Sequence, residues 1–303
     1  MCGIVGLFLK NKALEPALGH HLAGMLLAMS ERGPDSAGIA IYGHGSEAAG
    51  RLTLFHPDPG LDWAALAAAM KAGLGRNVGL TIKANHAILV VQGGTAPARA
   101  WLKANRPDLR VMGYGRAMDV FKDMGRPGDV AARYDLAHMG GTHGIGHTRM
   151  ATESAVTTEH SHPFTAADDL CLVHNGSLSN HNRLREWLKR RGQEFETDND
   201  TEVAARYFAH RLGEGLSLGE ALEAGLKDLD GFYTFAMGTG DGFAVMRDGI
   251  ACKPAMLAET DDWVAMSSEY RGLAALPGVE KARLWEPEPS KAYVWHREGG
   301  AHA

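Results

Sequence analysis

A cysteine stands at the second position of the chain, where removal of the initiator Met1 would make it the first residue. Cys2 would then carry a thiol and a free α-amine on one residue. An α-amine titrates near 7.7–8.0, so it is less often cationic at neutral pH than a lysine and can accept the thiol proton. Cys2 therefore predicts a self-activated N-terminal nucleophile, with a cysteine packed in the core as the alternative.

Four further short motifs follow Cys2-Gly3-Ile4-Val5-Gly6 along the chain. They are Arg32-Gly33-Pro34-Asp35-Ser36-Ala37-Gly38, Gly146-His147-Thr148-Arg149-Met150-Ala151-Thr152, His174-Asn175-Gly176 and Asp200-Thr201-Glu202, with a weaker echo in Ser267-Ser268-Glu269. Each motif is weak alone, but this order behind a nucleophile at position 2 is highly specific. In these motifs the chain resembles the class II glutamine amidotransferases, the family of the glutaminase domains of glucosamine-6-phosphate synthase, amidophosphoribosyltransferase and glutamate synthase.

The resemblance implies a reaction at Cys2 and an oxyanion hole beside it. The Cys2 thiolate attacks the side-chain carboxamide of glutamine, and the Cys2 amine carries the proton. The Asn175 side chain and the Gly176 N–H stabilise the tetrahedral oxygen, a kind of contact worth roughly 2.7–4 kcal/mol in other enzymes. The alternative for His174-Asn175-Gly176 is a hairpin turn, because Asn-Gly is a strong hairpin signal. Both can hold, since a turn after a strand over Leu170–Val173 would expose these N–H groups.

Charged residues of the matched motifs suit recognition of a free amino acid. The planar guanidinium of Arg149 fits a two-pronged contact with the α-carboxylate of glutamine, and Asp200 fits the α-ammonium. The alternative for Asp200, a helix N-cap ahead of Thr201–Leu212, is compatible with that role. Arg32 and Gly33 are placed near the cysteine by the resemblance, and a surface turn is the alternative for Gly33.

The resemblance also predicts the lining of the glutamine pocket. Thr152 and His162 match positions that line this pocket in relatives, and we include His174 because it belongs to the motif of the oxyanion donors. Met150 stands where many relatives have Trp, and Glu153 where some have His. We therefore expect the lining to differ from theirs.

Several of the 15 histidines are spaced like metal ligands, namely His143-x-x-x-His147 and His160-x-His162. Three interspersed glycines, however, disfavour the helix that would bring the first pair onto one face. We favour structural and pocket histidines over a metal site, and we expect no metal and no cofactor.

The elements that position these residues are short apolar runs and amphipathic helices. The run at residues 3–9 predicts a strand buried on both faces. We expect a second strand at Ala37–Tyr42 and antiparallel strands from Gly231 to Trp295. The predicted helices are Pro16–Ser30, Asn180–Arg191, Thr201–Leu212 and Leu218–Leu229, the last with a Ser217–Glu220 capping box. The resemblance implies an α+β fold, the four-layer αββα sandwich of N-terminal-nucleophile hydrolases.

One amidotransferase domain over residues 1–303 is expected to contain an inserted subdomain at residues 48–138. Its pattern is β-α-β-β-α-β, a small α/β unit of ferredoxin-like order. The strands are Arg51–His56, Leu80–Lys83, Ala87–Gln92 and Leu109–Gly113, and the helices are Asp62–Ala72 and Ala96–Ala104.

Composition excludes several classes of function. The net charge of −5 disfavours a surface for nucleic acid or anionic membranes. The sequence contains no stretch of 18 apolar residues, so we expect no membrane span. The N-terminus lacks the charged start of a signal peptide, and an odd count of three cysteines fits a reducing compartment. We expect a cytoplasmic protein.

The length of the chain, which fits an amidotransferase domain alone, and the segment Gly146–Phe164 look most like the stand-alone amidotransferase-like subunit of N-methylglutamate synthase and other glutamate-synthase-type complexes. The resemblance implies a glutaminase subunit that passes ammonia to synthase subunits of a hetero-oligomeric complex. Two alternatives stay open: γ-glutamyl transfer to an amine such as methylamine, and a non-catalytic structural subunit of that complex.

Overall fold

The computed structural model describes residues 2–150 and 156–297. Its strands are β1 (Gly3–Leu9), β2 (Ser36–Tyr42), β3 (Ala49–Phe55), β4 (Val78–Lys83), β5 (His86–Gln92), β6 (Arg110–Gly115), β7 (Met118–Met124), β8 (His143–Arg149), β9 (Phe164–Ala167), β10 (Leu170–Leu178), β11 (Gly231–Gly238), β12 (Gly242–Arg247), β13 (Met256–Glu259), β14 (Trp263–Ser267), β15 (Arg283–Trp285) and β16 (Lys291–His296). The helices are α1 (Leu18–Ala28), α2 (Trp63–Leu74), α3 (Ala96–Asn105), α4 (Pro127–Arg133), α5 (His181–Lys189), α6 (Asp200–Gly213) and α7 (Leu218–Asp228).

Two large antiparallel sheets form the centre of the molecule. Within the described residues, one sheet has seven strands in the order β15-β13-β14-β1-β8-β2-β7, and the other has five in the order β16-β12-β11-β10-β9. Side chains alternate between the two faces of each strand. In β1, Ile4 and Phe8 join the core between the sheets, whereas Val5 and Leu7 face the core under α1.

Helices cover the outer face of each large sheet. Helices α1 and α4 pack on the seven-stranded sheet, and α5, α6 and α7 pack on the five-stranded sheet. The predicted αββα sandwich is therefore confirmed. The capping box of Ser217 and Glu220 at the start of α7 is present, and every residue of β1 is buried, as the apolar run predicts.

A third, four-stranded sheet has the order β4-β5-β3-β6 and the predicted β-α-β-β-α-β succession. Helices α2 and α3 cover one of its faces. The small sheet ends at Gly115, and the chain then enters the seven-stranded sheet through β7, where Phe121 pairs with Ile39 of β2. Residues 118–138, which the sequence interpretation includes in the insertion at 48–138, therefore belong with the large sandwich, because β7 and α4 bury their apolar side chains there.

Among the described residues, no helix is both long enough and apolar enough to cross a bilayer.

Candidate active site

Strand pairing brings Cys2 and Arg149 to the same end of the seven-stranded sheet. Gly3 of β1 lies opposite Thr148 of the antiparallel strand β8. Cys2, which precedes Gly3, and Arg149, which follows Thr148, therefore lie at that end. Strand β2 begins there too, with Ser36 opposite Arg149. The Cys2 Sγ lies 3.9 Å from the carbonyl oxygen of Met150. Motifs far apart in the sequence thus meet at one end of the sheet.

The backbone of Cys2 is held from both large sheets. Arg32 Nε donates to the Cys2 carbonyl oxygen at 3.0 Å, and Asn175 Nδ2 of β10 donates to the same oxygen at 3.2 Å. The Arg32 guanidinium also pairs with the Glu269 carboxylate. Because an amide nitrogen carries two hydrogens, Asn175 keeps a second donor for another acceptor.

Two residues that hold this corner were given no role by the sequence interpretation. Ser268 Oγ accepts the Ile4 N–H at 2.9 Å, and Ser268 N–H donates to the Ile4 carbonyl at 3.0 Å. Glu269 binds Arg32, whose hydrogen bond holds the pKa of that carboxyl below its ordinary value. The signal available was the Ser267-Ser268-Glu269 echo itself, since a carboxylate in a matched motif can complement an arginine in another.

Gly33 lies in a close contact between backbones. A Cβ at this position would stand 2.3 Å from the carbonyl carbon of Thr148 and 2.5 Å from the Arg149 nitrogen. The residue is buried, so the alternative of a surface turn is wrong. Glycine allows the Arg32 segment to approach the end of β8.

Asn175 and Gly176 lie within a strand. Strand β10 continues through Leu178, and Asn175 pairs with Thr234 and Gly176 with Tyr233 of β11. The alternative of a hairpin turn after Val173 is therefore wrong, because residues 171–178 pair with β11. Gly176 has φ 148°, and a Cβ there would stand 2.0 Å from the Phe232 carbonyl oxygen, so this position requires glycine.

The Gly176 N–H points away from β11. Tyr233 donates its N–H to Asp248 Oδ1 at 2.9 Å and accepts the Asp248 N–H at 3.1 Å. Tyr233 therefore faces Gly176 as a non-hydrogen-bonded pair. On the other side of β10, the pairing with β9 covers residues 170–172. Within the described residues, neither β11 nor β9 therefore accepts the Gly176 N–H.

Arg149 is almost wholly buried at the end of β8, with 5% of its surface exposed. Burial lowers the pKa of its guanidinium, and the nearby Cys2 and Asp35 oppose that shift. Because the ordinary pKa of arginine is above 12, the group stays cationic. A buried cation beside the nucleophile is a suitable partner for a carboxylate.

Asp200 opens helix α6, but it is not the N-cap. Asn199 caps the helix by accepting the Thr201 N–H at 2.8 Å, and Asp200 Oδ2 accepts the Leu178 N–H at 2.9 Å. Burial raises the pKa of Asp200, but the His174 ring and the Leu178 N–H outweigh it and bring the value to about 2. With 23% of its side chain exposed, Asp200 is an ionised carboxylate that solvent can reach.

Three further predicted site residues are His162, His174 and Thr152. His162 is buried, with Nδ1 3.2 Å from His147 Nδ1 and Nε2 2.8 Å from Thr201 Oγ1, so both ring nitrogens contact protein groups. His174 is buried beside Asp200. Thr152 lies outside the described residues. Among residues 2–150 and 156–297, no group of three or more histidine, cysteine or acidic side chains is arranged to hold a metal ion.

Comparison with known proteins places this geometry in a family. A family model described as a glutamine amidotransferase domain matches residues 147–275. The chain is 54% identical to the glutamine amidotransferase-like protein GlxB of Rhizobium meliloti, over 99% of this chain and 100% of that protein. The chain belongs to the glutamine amidotransferase family. A family relative from Methanothermobacter thermautotrophicus is 35% identical over 97% of this chain and 99% of its own length.

The fold agrees with that membership. The structure of glutamine phosphoribosylpyrophosphate amidotransferase from B. subtilis matches 98% of this chain with a TM-score of 0.63 at 20% identity. The matched part is 48% of that longer chain. This glutamine amidotransferase is thus an enzyme with the α+β fold of the class II branch, as the resemblance implies.

Proposed function

We propose that this enzyme hydrolyses the side-chain amide of glutamine through a thioester on Cys2. The observation that carries the proposal is the meeting of Cys2 with Asn175, whose side-chain amide donates to the Cys2 carbonyl oxygen at 3.2 Å. Cys2 directly precedes β1 of one large sheet, Asn175 lies in β10 of the other, and the next residue, Gly176, turns its N–H away from β11. A nucleophile and two oxyanion donors are the minimal set for attack on an amide.

The proposed reaction has two steps. The Cys2 sulfur bonds to the carboxamide carbon, and the Cys2 α-amine takes the thiol proton. Asn175 Nδ2 and the Gly176 N–H stabilise the negative oxygen of the tetrahedral intermediate. The carbon–nitrogen bond then breaks, and ammonia leaves with the proton returned by the amine. Water next attacks the thioester, which releases glutamate and restores the thiol.

Recognition of glutamine is assigned to the two charged residues that flank this corner. Arg149 is buried and cationic, and it lies at the end of β8 beside the start of the paired strand β1, which Cys2 precedes. It therefore suits the α-carboxylate. Asp200 is ionised and partly exposed, so it suits the α-ammonium. His162 uses both ring nitrogens inside the protein, so we reassign it from contact with glutamine to support of the site.

The decisive experiment combines the mass of the mature N-terminus with turnover of glutamine. We expect the native chain to begin at Cys2 and to release ammonia from glutamine, and we expect Cys2→Ala to abolish both turnover and labelling by a glutamine-like electrophile. Cys252→Ser is the matched control, because Cys252 is an exposed free cysteine. Retention of Met1 in an active enzyme would exclude the α-amine as base and overturn the mechanism.

The destination of the nitrogen is a further part of the proposal. The resemblance over Gly146–Phe164 supports delivery of ammonia to synthase subunits of a cytoplasmic complex like glutamate synthase or N-methylglutamate synthase. Supplying glutamine with and without methylamine distinguishes hydrolysis from γ-glutamyl transfer, since transfer yields γ-glutamylmethylamide. Absence of turnover and of Cys2 labelling, even with the partner subunits present, would instead support a structural subunit. Fractionation of cells tests the compartment.

A further inference from the structure

Three histidines and a threonine lie in series behind the site, and each is almost wholly buried. They come from four parts of the chain: His147 from β8, His162 from the segment before β9, His174 from β10, and Thr201 from the first turn of α6. We call these four residues the histidine–threonine circuit.

The first two contacts fix where the protons of two imidazoles lie. His147 Nε2 is 3.0 Å from the His174 carbonyl oxygen, which can only accept, so this nitrogen carries a hydrogen. Burial lowers the pKa of His147 to about 3, so the ring is neutral and its Nδ1 has a lone pair. His162 Nδ1 lies 3.2 Å from that lone pair and must donate to it.

The next two contacts follow from the first two. Burial holds the pKa of His162 well below its ordinary value, so its Nε2 is an acceptor. The Thr201 hydroxyl has a single hydrogen, and we assign it to that nitrogen at 2.8 Å rather than to Asp200 Oδ1 at 3.4 Å, because the first contact is much shorter. The Thr201 oxygen then accepts from His174 Nδ1 at 2.9 Å. Every donor points the same way, and the series closes on His174, whose carbonyl receives the last hydrogen bond.

We propose that the histidine–threonine circuit positions the glutamine-binding groups relative to one another by a one-way ring of hydrogen bonds. Three of the four members lie next to or near a residue of the proposed site: Arg149 follows two residues after His147, Asn175 comes directly after His174, and Asp200 comes directly before Thr201. The two proposed recognition groups and the oxyanion donor Asn175 thus lie on elements that the circuit ties together. The inference rests on the proposed glutaminase function and names the positioning residues of the same site.

The surroundings of the circuit favour a rigid arrangement. Phe164 lies edge-on to the His162 ring at 5.3 Å between centroids, and Phe235 lies 4.9 Å from the His174 ring. Aromatic walls keep water from competing for these hydrogen bonds, which are stronger in a medium of low dielectric constant and polarise one another when they run in one direction. Asp200 Oδ1 lies 3.4 Å from Thr201 Oγ1 and 3.6 Å from His174 Nδ1, farther than the contacts within the circuit.

The proton positions can be tested on the intact wild-type chain without any assay. Two-bond nitrogen–proton spectra of the imidazoles at neutral pH are expected to show His147 protonated at Nε2, and to show a hydrogen at Nδ1 of both His162 and His174. A His162 ring protonated at Nε2, or averaged between tautomers by exchange, would overturn the circuit.

The positioning role is tested at Thr201. Thr201→Val removes the hydrogen bonds of the hydroxyl to two buried ring nitrogens, His162 Nε2 and His174 Nδ1, so kcat/KM for glutamine is expected to fall roughly 30-fold. The loss should include a raised KM, because Arg149 and Asp200 shift relative to each other. Thr201→Ser retains the hydroxyl and should recover most of the loss. Thr53→Val is the matched control, since Thr53 is a fully buried threonine of the small sheet whose hydroxyl accepts the Val120 N–H at 3.2 Å.

The outcomes distinguish the circuit from the proposed function. A wild-type enzyme without glutamine turnover overturns the proposed function whatever the tautomers are. An active wild type whose Thr201→Val variant behaves like Thr53→Val overturns the positioning role. A merely structural role would lower the fraction of Cys2 that can be labelled and leave KM unchanged, which also contradicts the proposal.

Discussion

Two groups of contacts hold the site, and they differ in charge and exposure. Cys2 is held through Arg32 and Glu269, an ion pair whose carboxylate side chain is 34% exposed. The recognition groups are held by the histidine–threonine circuit, which is buried and carries no formal charge on His147 or His162. Solvent and salt screen exposed charges, whereas buried hydrogen bonds keep their strength. We infer that the placement of the nucleophile depends on solution conditions far more than the placement of the recognition groups.

A buried lysine beside the segment that carries His162 gives the largest expected effect. Lys122 of β7 is buried, and its Nζ donates to the carbonyl oxygens of Glu159, Ser161 and Pro163 at 3.2, 2.8 and 3.2 Å. It thereby holds the segment that carries His162. Burial lowers the pKa of Lys122 to about 8, below its ordinary value of 10.5.

The sign of the pH effect follows from that shift. Between pH 8 and 10.5 the unfolded chain keeps the lysine proton and the folded chain loses it, so this group makes the folded state more stable as pH rises. Over that window the wild type should gain up to about 3 kcal/mol in unfolding free energy relative to Lys122→Met, measured by urea unfolding. Lys103→Met, at an exposed lysine, is the control. Parallel curves for wild type and Lys122→Met would show that Lys122 titrates normally.

Arg32 gives the next largest effect, on the charged side. Arg32→Met removes the hydrogen bond to the Cys2 carbonyl and leaves Glu269 without this partner, so we expect kcat/KM for glutamine to fall roughly 30-fold, as for other charge-assisted hydrogen bonds. Alkylation of Cys2 by a simple thiol reagent should change as well, since the residue itself moves. Arg51→Met removes a comparable ion pair with Asp119, far from Cys2 in the sheets, and is the control. Equal activities of the two variants would refute the assigned role.

The comparison also explains what the sequence could predict. Cys2, Arg149, Asn175 and Asp200 belong to short motifs, and the structure brings all four to one end of the sandwich. The layers were predictable too, because alternation and helical periodicity depend on nearby residues. The capping of α6 by Asn199 was missed because Asp and Asn are both good caps, and only the partner of each side chain decides between them.

Contacts between distant segments were beyond local patterns. Asn175-Gly176 is a turn signal by itself, but eight residues of β10 pair with β11, and that pairing overrides the local preference. The circuit was also hidden, because His147, His162, His174 and Thr201 become neighbours only when four elements pack together. Histidine spacing suggested a metal-like pattern instead, since spacing reveals nothing about tautomers or burial.

The smallest expected effect on the kinetics of glutamine turnover tests whether the small sheet supports the histidine–threonine circuit. Asn85, in the turn between β4 and β5, donates from Nδ2 to Asp123 Oδ2 at 3.0 Å, and Asp123 Oδ1 accepts the Thr158 hydroxyl at 2.9 Å. Through Asp123 the small sheet therefore reaches the segment that leads to His162. Asn85→Ala also removes the hydrogen bonds that Asn85 Oδ1 makes with His86 Nδ1 and with the Tyr134 hydroxyl, both at 2.9 Å. At roughly 1 kcal/mol for each of the three hydrogen bonds, the variant should lose a few kcal/mol of unfolding free energy, but it should raise KM for glutamine less than threefold.

The control for this variant is Asn105→Ala, whose side chain donates to the Trp101 carbonyl oxygen at 2.8 Å on the exposed end of α3. Asn105→Ala removes one side-chain hydrogen bond from the same subdomain, whereas Asn85→Ala removes three, one of which is the bond to Asp123. A rise in KM confined to Asn85→Ala would mean that the small sheet acts on the glutamine site through Asp123. Equal KM values would mean that the small sheet contributes stability alone, and that the histidine–threonine circuit positions the glutamine-binding groups without it.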